Sequence, residues 1–126
     1  MSRQSFATLA SPFARAYCQD DRTLKGRQIM VSVGLVVKLV AKPDTQDEVA
    51  EFLTGALSLA NEEKGTEVWM ALRTDESTFW VVDAFPGDTE RQAHLNGPIA
   101  AALMENADRL LSVPPEINPA EVLAIK

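Results

Sequence analysis

The chain has 126 residues, 46% of them apolar and 24% charged, with a net charge of −6. That length suits one domain and excludes two of ordinary size. No apolar run is long enough to span a bilayer; the longest, residues 30–40, is interrupted by Ser32, Gly34 and Lys38. A single cysteine, Cys18, excludes an intramolecular disulfide framework and a cysteine-rich zinc site. It fits a reducing, cytoplasmic location.

Charge divides the chain in two. Residues 1–29 carry five basic and two acidic side chains, whereas residues 30–126 carry seven and sixteen, a net −9. An acidic body argues against nucleic acid as a partner, because phosphate backbones need clustered cations. The same charge argues against an anionic membrane surface.

Residues 1–29 read as an N-terminal extension to a domain spanning 30–126. Phe6, Leu9, Phe13 and Tyr17 are spaced for one face of a short helix, which Pro12 interrupts. Arg3 and Arg15 lie in an acid-free stretch with some likeness to a targeting segment. A plain extension is the favoured reading, and an arm packed on a neighbouring subunit is the alternative.

Met30 to Ala41 predicts a valine-rich first strand, stopped by Lys42-Pro43. Thr45-Gln46-Asp47-Glu48 matches a capping box at a helix start. The following helix places Val49, Phe52, Leu53, Ala56, Leu57 and Ala60 on one stripe. It should end between Asn61 and Gly65, with Gly65 as a left-handed stop. Thr66–Thr74 and Thr78–Phe85 predict a hairpin turning at Asp75-Glu76. With a two-residue loop, Trp69, Ala71, Arg73, Trp80 and Val82 share one face, and Val68, Met70, Leu72, Phe79, Val81 and Asp83 the other. A longer loop would change that pairing.

Asp88 or Thr89 is expected to cap a helix running to about Asn96, and Pro98 to open a second segment. Ile99, Leu103, Ala107, Leu110 and Leu111 form its apolar stripe. Pro114-Pro115 and Pro119 forbid its continuation. Ala120 to Ile125 predicts a last short strand. The order strand, helix, strand, strand, helix, strand predicts an α+β, ferredoxin-like βαββαβ domain with both helices on one face of an antiparallel sheet. Yet both faces of the hairpin are apolar, so the second face needs a cover. The simplest is the same face of another copy, in a two-fold homodimer.

The strand order, the Trp69–Arg73 strand and the block DAFPGDTERQAHLNGPIAAAL together resemble the antibiotic biosynthesis monooxygenase (ABM) domain of the dimeric α+β barrel proteins. The resemblance covers about residues 31–126. It implies a dimer with a pocket between helices and sheet in each subunit. It also implies oxidation of quinols or polycyclic phenols such as anthrones by molecular oxygen, with no metal or flavin cofactor. Related members bind and degrade heme, using an asparagine on the first strand and an Asn–Trp–His set. No asparagine occurs between Met30 and Ala60 here, which argues against heme degradation.

Cofactor-free oxygenation needs an apolar cavity with a few polar groups that accept a proton and stabilise an anion. Trp69 and Trp80 are the candidates to stack on a substrate ring. Arg73 is the candidate to stabilise a phenolate, and His94, the only histidine, to exchange a proton near neutrality. Each has a plainer role: packing for the tryptophans, a surface ion pair for Arg73, and a structural bond to a backbone carbonyl or partner subunit for His94. Asp83 reads as a partner for Arg73 or an acceptor for backbone N–H groups. Arg91 reads as a salt-bridging residue, Asn96-Gly97-Pro98 as helix punctuation, and Glu62-Glu63 as a solvated helix end. A non-catalytic dimeric module binding a small ligand, or a stress-related interaction module, is the competing reading, with heme binding as a third.

Overall fold

The computed structural model describes residues 30–126, so the expectations for residues 1–29 and Cys18 lie outside the described residues. In chain order the elements are β1 Val33–Val40, α1 Gln46–Glu62, β2 Val68–Arg73, β3 Thr78–Phe85, α2 Asp88–Leu95, α3 Pro98–Leu110 and β4 Glu116–Glu121. The four strands form one sheet in the order β2-β3-β1-β4, every neighbouring pair antiparallel. This is the expected ferredoxin-like α+β fold, with the second helix broken into α2 and α3.

One face of the sheet carries the helices. Leu35, Val37 and Leu39 of β1 and Phe79, Val81 and Phe85 of β3 point into it. There they meet Val49 and Leu53 of α1 and Ala107 and Leu110 of α3. Phe85 has no exposed surface. The other face has no cover among the described residues. Val36 and Val40 share it with Trp80 and Val82, and β2 adds Met70 and Leu72, both more than 40% exposed.

The hairpin corrects the predicted pairing. Arg73 lies opposite Phe79 and Trp69 opposite Asp83, so the loop holds three residues, Asp75, Glu76 and Ser77, rather than two. Its cause is the Asp75 side chain, whose Oδ1 accepts the N–H groups of both Ser77 and Thr78 at 2.9 Å. These bonds, Ser77 first, lower the Asp75 pKa below its ordinary 3.8. One added residue turns every side chain of one strand to the opposite face relative to the other. Trp69, Ala71 and Arg73 therefore share the helix face with Phe79, Val81 and Asp83, while Trp80 and Val82 lie on the open face with Met70 and Leu72.

Other local devices also differ from expectation. Thr45 does not form a capping box: its hydroxyl donates to the Leu110 carbonyl at 2.6 Å, tying the start of α1 to the end of α3. Glu48 pairs instead with Arg109. The residue before α2 is Gly87, and Asp88 is already helical, its carboxylate held by Arg91. Gly65 is not left-handed; a Cβ there would lie 2.8 Å from the Glu90 side chain, so glycine serves close packing. Helix α1 ends because Glu63 turns to extended geometry. The last strand is Glu116–Glu121 rather than 120–125, with Pro119 opposite Leu35. An edge strand accommodates a proline because only one of its sides must bond.

Candidate active site

Helix α2 delivers His94 against the inner end of β3, where its ring lies 5.2 Å from the Phe85 ring. Arg91, one turn earlier, fixes the helix on the sheet by donating to the carbonyls of Gly34 and Ala120. The break after α2 comes at Gly97, where a Cβ would sit 3.3 Å from Glu63 Oε2 and about as close to two helix carbonyls. Gly97 thus leaves room for Glu63 to reach the histidine.

His94 is held between two carboxylates. Its Nδ1 lies 2.6 Å from Glu63 Oε1, and its Nε2 lies 3.1 Å from Asp83 Oδ2. Glu63 Oε1 also accepts the Thr66 hydroxyl at 2.7 Å. The histidine side chain is 7% exposed and that of Asp83 1%. Burial opposes the imidazolium charge, but the hydrogen bonds and negative charges of Asp83 and Glu63 outweigh it and raise the His94 pKa above 6.5. Within the chain His94 bonds two side chains rather than a backbone carbonyl, and Glu63 is an ion-pair partner rather than a solvated helix end. Asp83 pairs with His94, not with Arg73.

Behind this triad lies a small apolar cavity of about 50 Å³. Its walls include Leu53, Ile99 and Leu103 from the helices and Trp69, Val81 and Asp83 from the sheet. Trp69 Nε1 and Asp83 Oδ1, on residues that line it, are buried without a hydrogen-bond partner, as is Glu63 Oε2 on the outer side, while Asp83 Oδ2 faces His94 Nε2. Such orphaned groups cost free energy, and a ligand with complementary atoms would satisfy them. On the outer side two open clefts, of about 490 and 280 Å³, meet at Glu63, Lys64 and Thr66. Trp69 stands between the larger cleft and the cavity, and His94 between the smaller cleft and the cavity.

The structure brings together Trp69 and His94 and separates the other two candidates from them. Trp80 is on the opposite sheet face, under Lys38, with its Nε1 donating to Thr74 Oγ1 at 3.0 Å. Arg73 is four residues along β2 from Trp69, roughly 13 Å away at strand rise. It covers the Phe79 ring and donates to the Glu76 carbonyl. Neither borders the cavity. Asp83 and Glu63 complete the site. An aspartate in the apolar FWVVDAF strand was the available signal for Asp83; nothing local distinguished Glu63 from Glu62.

The two carboxylates sit on opposite ring nitrogens, and among the described residues no His, Cys, Asp or Glu group converges in a way that would hold a metal ion. No described helix is long and apolar enough to cross a membrane.

No protein-family model matches the sequence, and no curated protein does. Solved structures do. A Nitrosomonas europaea protein of unknown function is 55% identical over 77% of this chain and 94% of its own, with a TM-score of 0.75. A Mycobacterium tuberculosis protein, 14% identical, covers 75% of this chain and 97% of its own with a TM-score of 0.68. A protein named antibiotic biosynthesis monooxygenase, 11% identical, covers 73% and 99% with a TM-score of 0.65. The chain belongs to one family with the Nitrosomonas europaea protein, and its fold is that of the antibiotic biosynthesis monooxygenases.

Proposed function

We propose that the protein is a homodimeric, cofactor-independent monooxygenase acting on a quinol or polycyclic phenol. The observation that carries this reading is the apolar cavity bordered by a buried carboxylate, Asp83, whose Oδ1 has no partner and whose Oδ2 faces His94. A phenol or enol bound there loses a proton to the Asp83–His94 pair. Its anion gives an electron to molecular oxygen, and recombination forms a carbon–oxygen bond as a peroxide. The stored proton returns to the peroxide, and loss of water leaves a carbonyl. One oxygen atom enters the product and the other leaves as water with two hydrogens from the substrate. The substrate supplies all four electrons, so no outside reductant is needed. Trp69 Nε1, buried without a partner on a residue that lines the cavity, would donate to a substrate oxygen.

The cavity is smaller than the several hundred cubic ångströms of an ordinary ligand site. Binding a ring therefore moves side chains, and Trp69 is the one placed between cavity and outer cleft. The same small volume favours the second reading, a non-catalytic module for a small ligand. Heme binding is disfavoured because both ring nitrogens of His94 already face carboxylates. The dimer is supported by the apolar open face of the sheet, which a second copy would cover.

Oxygen uptake with menadiol and with an anthrone tests the reading. Turnover above the spontaneous rate, lost when Trp69 is replaced by alanine, is the expected result. Saturable binding without oxygen uptake across a broad panel favours the module.

A further inference from the structure

We infer that Asp83, not His94, is the proton acceptor of this site, and that Glu63 is a positioning residue that acts on Asp83 through His94. The inference rests on the proposed oxygenase chemistry and assigns roles within it.

A histidine that takes a proton from a substrate needs a free ring nitrogen turned toward it. Here Nδ1 faces Glu63 and Nε2 faces Asp83. Asp83 has what the histidine lacks: it borders the cavity, and its Oδ1 is buried with no partner. His94 Nε2 holds Asp83 Oδ2 and leaves Oδ1 without a partner. The His94 ring is itself buried, and a further negative charge favours its imidazolium form. Glu63 supplies it from the outer side, where it borders both clefts but not the cavity. The Thr66 hydroxyl and the space left by Gly97 fix the Glu63 carboxylate in place. From outside to inside the order is Glu63, His94, Asp83, and of the two carboxylates only Asp83 borders the cavity.

In the transfer, the substrate O–H bond breaks and its proton forms a bond to Asp83 Oδ1. The substrate keeps the electron pair. Neutral Asp83 then donates a hydrogen bond to the new anion until the proton returns to the peroxide.

The test compares wild type with Asp83→Asn and Glu63→Gln, each checked by circular dichroism for an unchanged fold. With menadiol or an anthrone, Asp83→Asn is expected to lower kcat about 100-fold or more, as loss of a general base does. Glu63→Gln is expected to lower kcat by ~10-fold with KM unchanged, because His94 then holds Asp83 less firmly in place. Independently of any substrate, the His94 ring titration followed by NMR should move to lower pH in Glu63→Gln. Full turnover by Asp83→Asn overturns the base assignment while leaving the oxygenase reading standing. A His94 titration unmoved by Glu63→Gln, or a KM that rises while kcat holds, overturns the role of Glu63. Absence of turnover in the wild type removes the oxygenase reading and the base assignment with it.

Discussion

The two faces of the sheet are nearly equal in apolar content and opposite in fate. On one, Leu35, Val37, Leu39, Phe79 and Val81 are buried under α1 and α3, and a charged cluster sits among them. On the other, Val36, Val40, Trp80, Val82, Met70 and Leu72 have no helix of the described chain packed over them. The two tryptophans show the contrast at single-residue scale. Trp69 packs against the core with its N–H unsatisfied, whereas Trp80 has its N–H bonded and a lysine over its ring. An apolar side chain therefore does not reveal which task its face performs. Unsatisfied polar atoms mark the face where a ligand is expected, and exposed apolar area marks the face where a partner is expected.

The contrast can be broken at its strongest point first. Phe85→Ala should cost about 3–5 kcal/mol in denaturant unfolding, because a fully buried ring leaves a cavity beside His94. His94→Ala should cost about 3–5 kcal/mol by the same measurement, since two carboxylates lose the cation between them. On the open face, Leu72→Asp should convert a dimer to a monomer in light scattering while leaving the cavity side intact. A mass unchanged by that substitution would count against a dimer built on this face.

Above pH 6.5 the pH dependence of stability reports on the buried cluster. Because the folded His94 pKa is raised above 6.5, its stabilising contribution is fully present below 6.5 and is lost as pH rises through the folded value. Urea midpoints should therefore fall across that interval in the wild type and be flatter in Glu63→Gln. The smallest effects belong to residues whose polar atoms do little here. Trp69→Phe should change stability by less than about 1 kcal/mol, because the lost N–H had no partner. Arg73→Ala should leave turnover unchanged in the oxygen-uptake assay, since Arg73 lies at the hairpin end and not in the cavity.

Much of the scaffold was legible because local rules determine it. The βαββαβ order followed from hydrophobic period. Pro98 opens α3, and β3 spans Thr78–Phe85. The stripe from Ile99 to Leu111 is largely buried. The site was less legible. His94 and Trp69 stood out as rare residue types, but their partners are distant in sequence. Glu63 is 31 residues from His94 and resembles its neighbour Glu62 in every local respect. The face assignment of Trp80 turned on one hydrogen-bonded residue, Ser77, in a hairpin loop.

The sequence by itself determined the fold class, the helix break at Gly97-Pro98 and the surplus of apolar strand surface. Those features depend on propensity and periodicity, which act over a few residues. Only the tertiary structure decided which tryptophan faces the helices and that His94 stands between Glu63 and Asp83. Those outcomes depend on strand register and on charges brought together from three separate segments. A one-residue change of loop length reverses the first, and a few ångströms of helix placement decide the second.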